Sequence, residues 1–144
     1  MMRRTNRIAV TVIGFALSLG VGVAEAEVVA VVSSSSPVTT LSKNQIADIF
    51  LGKTVRFPDG RRVVPIDQAE GTVARDEFYI QYTGKSAAQL KAHWSKIIFT
   101  GRGQPPRAVA NSSEIKAQLA GNPNAIGYIE RNSADDTVTV LLVQ

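Results

Sequence analysis

The hydrophobic pattern predicts alternating strands and helices from residue 27 onward. Residues 27–32 are rich in valine, which is typical of a strand buried on both faces, and residues 62–66 form a second β-branched run. Residues 46–50 instead place apolar side chains at helical spacing. The alternation continues through helices at about residues 73–82, from Ser86 and from Asn111, and through strands at residues 125–129 and 137–143. It predicts an α/β layered domain with a mixed, mostly parallel sheet flanked by helices.

Only a short turn, at residues 132–136, joins the last two predicted strands. These two strands could therefore pair antiparallel, whereas the longer connections elsewhere allow parallel crossovers. Residues 99–107 contain two prolines and two arginines, and we interpret them as a stiff, irregular loop.

Polar residues mark the predicted helix starts. The spacing predicts four N-caps: Ser42, Thr72, Ser86 and Asn111. Ser42 with Gln45 and Ser86 with Gln89 are spaced as capping boxes, and Glu114 can assist Asn111. In the helix that opens at Ser86, helical spacing predicts one buried stripe of four residues: Leu90, Trp94, Ile97 and Ile98. A tryptophan in such a stripe is more often part of a core than a stacking platform for a ligand.

A basic and then apolar segment opens the chain. Three arginines among the first seven residues precede an apolar run at residues 8–23, and residues 24–26 read Ala-Glu-Ala, the small-x-small form of a cleavage site. The pattern predicts a signal peptide over residues 1–26 and an exported domain over residues 27–144. The alternative is an uncleaved membrane anchor, which the short run and its glycines disfavour. An exported, cysteine-free domain best fits a bacterial periplasm.

Composition excludes several classes of site. The 144 residues contain no cysteine, which excludes disulfides and thiolate metal sites, and one histidine, which excludes histidine clusters. That residue, His93, lies at the edge of the predicted stripe, where a structural or surface role is favoured over catalysis. The formal net charge of +4 falls to +2 without the predicted signal peptide, too little to indicate nucleic acid binding. We expect no metal, no other cofactor and no nucleic acid partner.

The turn before the helix at residues 73–82 is the candidate ligand site. Gly71 allows the backbone to bend sharply, and Thr72 is spaced to cap the helix that follows. The first free N–H groups of that helix, and the positive end of its dipole, would point back into the turn and suit an anion or a carboxylate. The alternative is that the turn merely connects a strand to a helix.

A run of four serines follows the first predicted strand at residues 33–36. The hydroxyl groups of Ser34 and Ser35 could donate to the same ligand from across the turn. The alternative is a solvated loop that ends at Pro37.

Three segments along the chain carry a family resemblance. The first contains Pro37-Val38, Leu41-Ser42, Gln45-Ile46 and Ile49-Phe50-Leu51-Gly52-Lys53, the second contains Gly71, Arg75-Asp76 and Phe78, and the third reads Asn122-Pro123-Asn124-Ala125-Ile126-Gly127-Tyr128-Ile129. Together, in this order, they resemble the phosphate-binding proteins of phosphate ABC transporters, which are type II periplasmic binding proteins. The resemblance implies one lobe of that two-lobed fold, since the family's N-terminal segment has no counterpart here.

The resemblance also implies a set of ligand residues. The family's central motif has an arginine three residues ahead of a Gly-Ser-Gly-Thr turn, followed by Arg-Asp-x-Phe. The corresponding residues here are Gln68, Gly71, Thr72, Val73 and Ala74, followed by the retained Arg75, Asp76 and Phe78. The implied ligand site therefore comprises seven residues: Gln68, Gly71, Thr72, Val73, Arg75, Ser34 and Ser35. Gln68 in place of the motif's arginine removes a bidentate cationic donor, which lowers the expected affinity for phosphate about ten- to a hundred-fold.

Two functions are compatible with these features. The first is an exported solute-binding-type domain that holds phosphate or another small oxyanion weakly and, as the resemblance implies, works with a membrane transporter. The second is an accessory or protein-interaction module that has lost the ligand site and contacts an envelope protein or a second copy of itself, as a homo-oligomer. An enzyme is a distant third, because the acidic residues near the turn lack a nucleophile or a metal partner: Asp67, Glu70, Asp76 and Glu77.

Overall fold

The computed structural model of the protein describes residue 14 and residues 27–144. The predicted signal peptide and its cleavage position therefore lie outside the described part of the chain. Among the described residues, the helices are too short or too polar for any of them to span a bilayer.

Strands and helices alternate as the sequence predicts. The strands are β1 (Val28–Ser33), β2 (Thr40–Leu41), β3 (Val64–Gln68), β4 (Arg107–Val109), β5 (Ala125–Glu130), β6 (Val138–Val140) and β7 (Leu142–Val143). The helices are α1 (Lys43–Phe50), α2 (Val73–Thr83), α3 (Ala87–Phe99) and α4 (Ser112–Ala120), and a turn of 3₁₀-helix at Arg131–Ser133 follows β5.

The main sheet has the strand order β4-β3-β5-β1-β6. Strand β3 pairs in parallel with β4 and β5, whereas β1 pairs antiparallel with β5 and β6. The short strands β2 and β7 form a separate parallel pair. Three of the five pairings between these strands are parallel, so the predicted mixed, mostly parallel sheet is confirmed.

The pairing expected between the last two strands is wrong. Strand β1 lies between β5 and β6, because the valine-rich strand offers hydrogen-bonding edges on both sides and is buried along its whole length. The predicted strand at residues 137–143 also divides at Leu141, whose N–H donates to Ala30 while the next N–H donates to Thr39. The last residue of the expected loop at residues 99–107, Arg107, instead begins strand β4 and pairs with Ile66 of β3.

Helices cover both faces of the sheet. Alternate residues of β1 point to opposite faces, so that Val28, Ala30 and Val32 pack with α1, α2 and α3. Val29 and Val31 pack on the other face with α4, through Ile115 and Leu119. Strand β1 is thus fully buried, as its sequence predicts.

The helix starts follow the predicted caps. Ser42 and Ser86 both form capping boxes with the glutamine three residues later, and Thr72 and Asn111 accept hydrogen bonds from the N–H groups at the third helical position. The buried stripe of α3 is shorter than predicted, since Ile98 is 49% exposed whereas Leu90 and Trp94 are buried. Ile97 is partly buried and packs against the core, so the stripe ends one residue before Ile98.

Candidate functional site

The predicted turn between β3 and α2 forms a well-defined helix start. Gly71 has a φ of +90°, a conformation that side-chain-bearing residues rarely adopt, and the N–H of Thr72 donates to Ala69 over 3.2 Å. The Thr72 hydroxyl accepts from the N–H of Arg75 over 3.4 Å. The N–H groups of Val73 and Ala74, at the first two helical positions, have no acceptor among residues 27–144.

A second helix start lies beside the first. The Asn111 side chain accepts from the N–H of Glu114 over 3.0 Å, and the Glu114 carboxylate accepts from the N–H of Ala110 over 2.8 Å. This reciprocal arrangement fixes the first turn of α4. The N–H groups of Ser112 and Ser113 lack acceptors within the described part of the chain, as at the start of α2.

The two helix starts line one groove of about 370 Å³, which we call the two-helix groove. It is lined by Gln68, Thr72, Val73, Ala74, Ala110, Asn111, Ser112, Ser113, Glu130 and Ser133. The two helices meet here because each follows the carboxyl end of one of two adjacent parallel strands, with Gln68 of β3 beside Val109 of β4. Such positions are the usual binding sites of open α/β sheets.

Gln68 forms the floor of the two-helix groove and is only 2% exposed. Its side-chain amide donates to the carbonyl oxygen of Tyr128 over 3.0 Å and to the Ser112 hydroxyl over 3.4 Å. The same hydroxyl accepts from the N–H of Glu130 over 3.4 Å. Gln68 therefore ties the start of α4 to β5, which positions the donors of the second helix.

The charge in the two-helix groove comes from one acidic residue. Glu130 is half-buried there, and none of the residues that line the groove is basic. An anion would therefore be held by backbone N–H groups, hydroxyl groups and two helix dipoles, against repulsion from one carboxylate. This arrangement favours weak binding of a small oxyanion.

Asp67, next to the floor of the groove, is 3% exposed and accepts three hydrogen bonds. Its carboxylate accepts from the Tyr79 hydroxyl over 2.6 Å, from the Gln68 N–H over 2.8 Å and from the Tyr128 hydroxyl. Burial first, and then the charge of Asp67, raise the pKa values of Tyr79 and Tyr128 well above 10.0. Both phenols therefore stay protonated and can donate.

Arg75 does not line the two-helix groove. Its guanidinium group lies 5.5 Å from the centre of the Tyr79 ring, and its Nε lies 3.6 Å from an oxygen of Asp67. The side chain instead lines a second groove beside α3. A ligand in the two-helix groove would therefore meet the N–H groups of α2, not this cation.

The serine run lies away from the two-helix groove. Strand β1 pairs antiparallel with β5, so its first residue, Val28, lies opposite Glu130, and its last residue, Ser33, lies near the start of β5. Six strand residues separate the two ends by about 16 Å. Ser34 donates its N–H to Thr137, and Ser35 contacts Ser33, which matches the loop interpretation. The expectation that Ser34 and Ser35 face the turn is wrong.

The sequence analysis missed the residues of the second helix start and Glu130. The capping signal at Asn111 predicts that start, but nothing local indicates that it lies beside Thr72. The missing information was strand β4, a three-residue segment whose parallel pairing with β3 brings α4 into position. A three-residue edge strand is too short to show the alternating pattern of a strand, whereas the two prolines of residues 99–107 indicate a loop.

The groups that line the two-helix groove are suited to holding a ligand. Its lining offers amide and hydroxyl donors and one carboxylate. The described residues include no cluster of three or more side chains suited to a metal ion. His93 lies elsewhere, with its Nε2 2.9 Å from the carbonyl oxygen of Leu51, which agrees with a structural role.

Solved structures with this fold are periplasmic-type binding proteins. A Clostridium perfringens protein described as a phosphate ABC transporter substrate-binding protein, crystallised with bound phosphate, is 27% identical with a TM-score of 0.64. The match covers 81% of this chain and 44% of that one. The chain has the fold of one lobe of a phosphate ABC transporter substrate-binding protein. The predicted resemblance is confirmed.

Two further structures agree on this fold. An ABC-type phosphate transport receptor from Vibrio cholerae is 18% identical with a TM-score of 0.55, and PstS from Borrelia burgdorferi is 17% identical with a TM-score of 0.57. Each match covers 81% of this chain, but only 45% and 47% of those chains. This lobe thus spans less than half the length of the binding proteins it resembles. No family model and no curated protein matches the sequence.

Proposed function

We propose that the chain is an exported solute-binding lobe that holds phosphate or another small oxyanion weakly in the two-helix groove. One observation carries the proposal: four backbone N–H groups without acceptors among the described residues, from Val73, Ala74, Ser112 and Ser113, belong to residues that line a single groove. Helix starts of this kind bind oxyanions through N–H groups and the helix dipole. The Clostridium perfringens protein, which was crystallised with bound phosphate, supports the choice of ligand.

The charge of the groove sets the expected affinity. Phosphate carries one to two negative charges near neutral pH, and Glu130 is the charged residue of the lining. Repulsion from this carboxylate, together with glutamine in place of an arginine at position 68, places the expected dissociation constant in the range of about 0.1–10 mM. A membrane transporter is the partner that this function would require.

Calorimetric titration of the purified protein with phosphate, sulfate and chloride tests the proposal. Millimolar phosphate should bind with a saturable signal that chloride does not give. Glu130→Gln should tighten binding about three- to tenfold, because it removes a carboxylate without changing the shape of the groove. Glu77→Gln is the matched control, since Glu77 lies on α2 outside the lining. If phosphate fails to bind both the native protein and Glu130→Gln at 20 mM, the proposal fails.

Export follows from the predicted signal peptide. Its cleavage after Ala26 would leave Glu27 as the first residue. The carbonyl oxygen of Glu27 accepts from the N–H of Arg131 over 2.7 Å, and its carboxylate pairs with the Arg131 guanidinium group at 2.8 Å, so cleavage after Ala26 would keep both contacts. Intact-mass measurement of the protein recovered from the periplasm of an expressing bacterium should give a chain that starts at Glu27. A full-length chain that remains with the membranes would contradict cleavage.

A further inference from the structure

Arg75 and Lys91 line a second groove, separate from the two-helix groove. This Arg75 groove lies between α2, α3 and the loop before β4, has a volume of about 190 Å³ and contains the side chains of Glu70, Arg75, Lys91, Trp94, Ile98 and Pro105. This volume is smaller than roughly 300 Å³, the lower end of the range for pockets that hold drug-sized ligands. Only a small molecule fits.

Arg75 is held in place with donors to spare. Stacking at 5.5 Å on the Tyr79 ring and the 3.6 Å approach to Asp67 restrain its guanidinium group. Asp67 already accepts hydrogen bonds from two tyrosine hydroxyls and a backbone N–H, and the guanidinium group of Arg75 donates none to any residue among 27–144. The guanidinium group is thus oriented by the protein, and its terminal Nη–H groups, unlike the buried Nε–H, remain available to a ligand.

The groove combines two cations with an apolar wall. Lys91 makes no ion pair with any described residue, and it shares the groove with Arg75. Ile98 is 49% exposed, and Pro105 is an exposed residue of the same lining. Trp94 completes the wall, and its buried Nε1–H has no acceptor within residues 27–144.

We propose that the Arg75 groove binds a small organic monocarboxylate, with the carboxylate on Arg75 and Lys91 and the apolar body against Ile98 and Pro105. A planar carboxylate matches the fork of donors on a guanidinium group. The carboxylate of Glu70 in the same lining opposes a ligand with two or more negative charges, which favours a monoanion. The apolar wall selects a hydrocarbon body over a bare inorganic anion.

Tryptophan fluorescence provides a direct readout, because Trp94 is the one tryptophan of the sequence and lines the groove. Purified protein is titrated with butanoate and, as a neutral match of similar size, with butanol, both in buffer that contains 20 mM phosphate to occupy the two-helix groove. The proposal expects a saturable fluorescence change with butanoate at millimolar concentration and none with butanol. Equal responses to the two compounds would overturn it, as would no response to butanoate at 50 mM.

Variants place the binding in this groove. Arg75→Gln should weaken butanoate binding about tenfold, and Lys91→Gln should weaken it about threefold. Glu70→Gln should tighten it about threefold. Lys96→Gln is the matched control for Lys91→Gln, since Lys96 also lies on α3 but outside the groove lining. If Arg75→Gln fails to fold, Lys91→Gln decides, because Lys91 is exposed and unpaired among the described residues. Unchanged affinity in Lys91→Gln would overturn the proposal. Phosphate binding by Glu130→Gln is measured separately, so either proposal can fail alone.

Discussion

The hydroxyl of Tyr79 on α2 donates a 2.6 Å hydrogen bond to the buried carboxylate of Asp67 on β3. This bond joins the helix to the strand directly beneath the Gly71 turn. Because Asp67 also accepts from Tyr128 on β5, the carboxylate connects three elements that together carry the floor of the two-helix groove. A charge in this position is tolerated since each of its oxygens has a donor.

Tyr79→Phe should destabilise the protein by about 1.5–3 kcal/mol, because it removes a hydrogen bond to a charged group and leaves an oxygen of Asp67 without that donor. Urea unfolding followed by circular dichroism measures the change. Tyr82→Phe is the matched control on the same helix, since Tyr82 is not among the hydrogen-bond donors to Asp67, and it should cost less than about 1 kcal/mol. Equal losses in both variants would contradict a special role for the Asp67 bond.

Alkaline pH should unfold the protein through its three buried phenols, since burial raises the pKa of Tyr82 as well. The pKa values of Tyr79 and Tyr128 are raised above 10.0 in the folded chain by burial and by Asp67. Above about pH 10 the unfolded chain loses these protons while the folded chain keeps them, so the free energy of unfolding falls as pH rises. The loss approaches about 1.4 kcal/mol per pH unit for each tyrosine.

Urea midpoints measured from pH 8 to pH 11 test this dependence. Stability should be nearly constant, as far as these tyrosines contribute, below pH 9 and should fall steeply above pH 10. In Tyr79→Phe the slope above pH 10 should be shallower by up to about 1.4 kcal/mol per pH unit, since one proton fewer is linked to unfolding. If stability falls equally steeply with pH in the native protein and in Tyr79→Phe, deprotonation of Tyr79 is not linked to unfolding and the prediction is wrong.

Gly127→Ala should cost about 1–3 kcal/mol, because α4 packs closely against β5 at this residue. A Cβ added to Gly127 would lie 2.6 Å from Cγ2 of Ile115. Ile115→Leu removes the branched methyl group from that point, so the double variant should be more stable than the sum of the single changes indicates. Thermal unfolding of the four proteins gives this coupling energy, and strict additivity would contradict the contact.

Gln68→Arg should raise phosphate affinity about tenfold, because it places a charged, bidentate donor at the floor of the two-helix groove. It should also lower stability, since the Gln68 amide bonds to Tyr128 and Ser112 are lost. Gln68→Met is the control: it loses the same bonds without adding charge and should not gain affinity. Titration calorimetry with phosphate separates the two effects, and no gain in Gln68→Arg would argue against this groove as the anion site.

Local features of the fold could be predicted from the sequence alone. The valine-rich strand β1, the capping boxes at Ser42 and Ser86, and the Gly71-Thr72 helix start all arise from interactions between residues a few positions apart. Such interactions are the same wherever the segment lies in the molecule, so the pattern is sufficient to recognise them. The motif around Gly71 likewise pointed to one of the two helix starts that form the groove.

Long-range pairing decided the rest. The insertion of β1 between β5 and β6, and the placement of β4 beside β3, depend on hydrogen bonds between strands far apart in the chain, which no local periodicity encodes. These pairings moved Ser34 and Ser35 to the far end of the sheet and brought Ser112 and Glu130 to Thr72. They also turned Arg75 towards Asp67, where a buried carboxylate attracts the cation more strongly than the solvated turn does. The sequence by itself thus determined the elements and one helix start, whereas the tertiary structure determined which side chains share a groove.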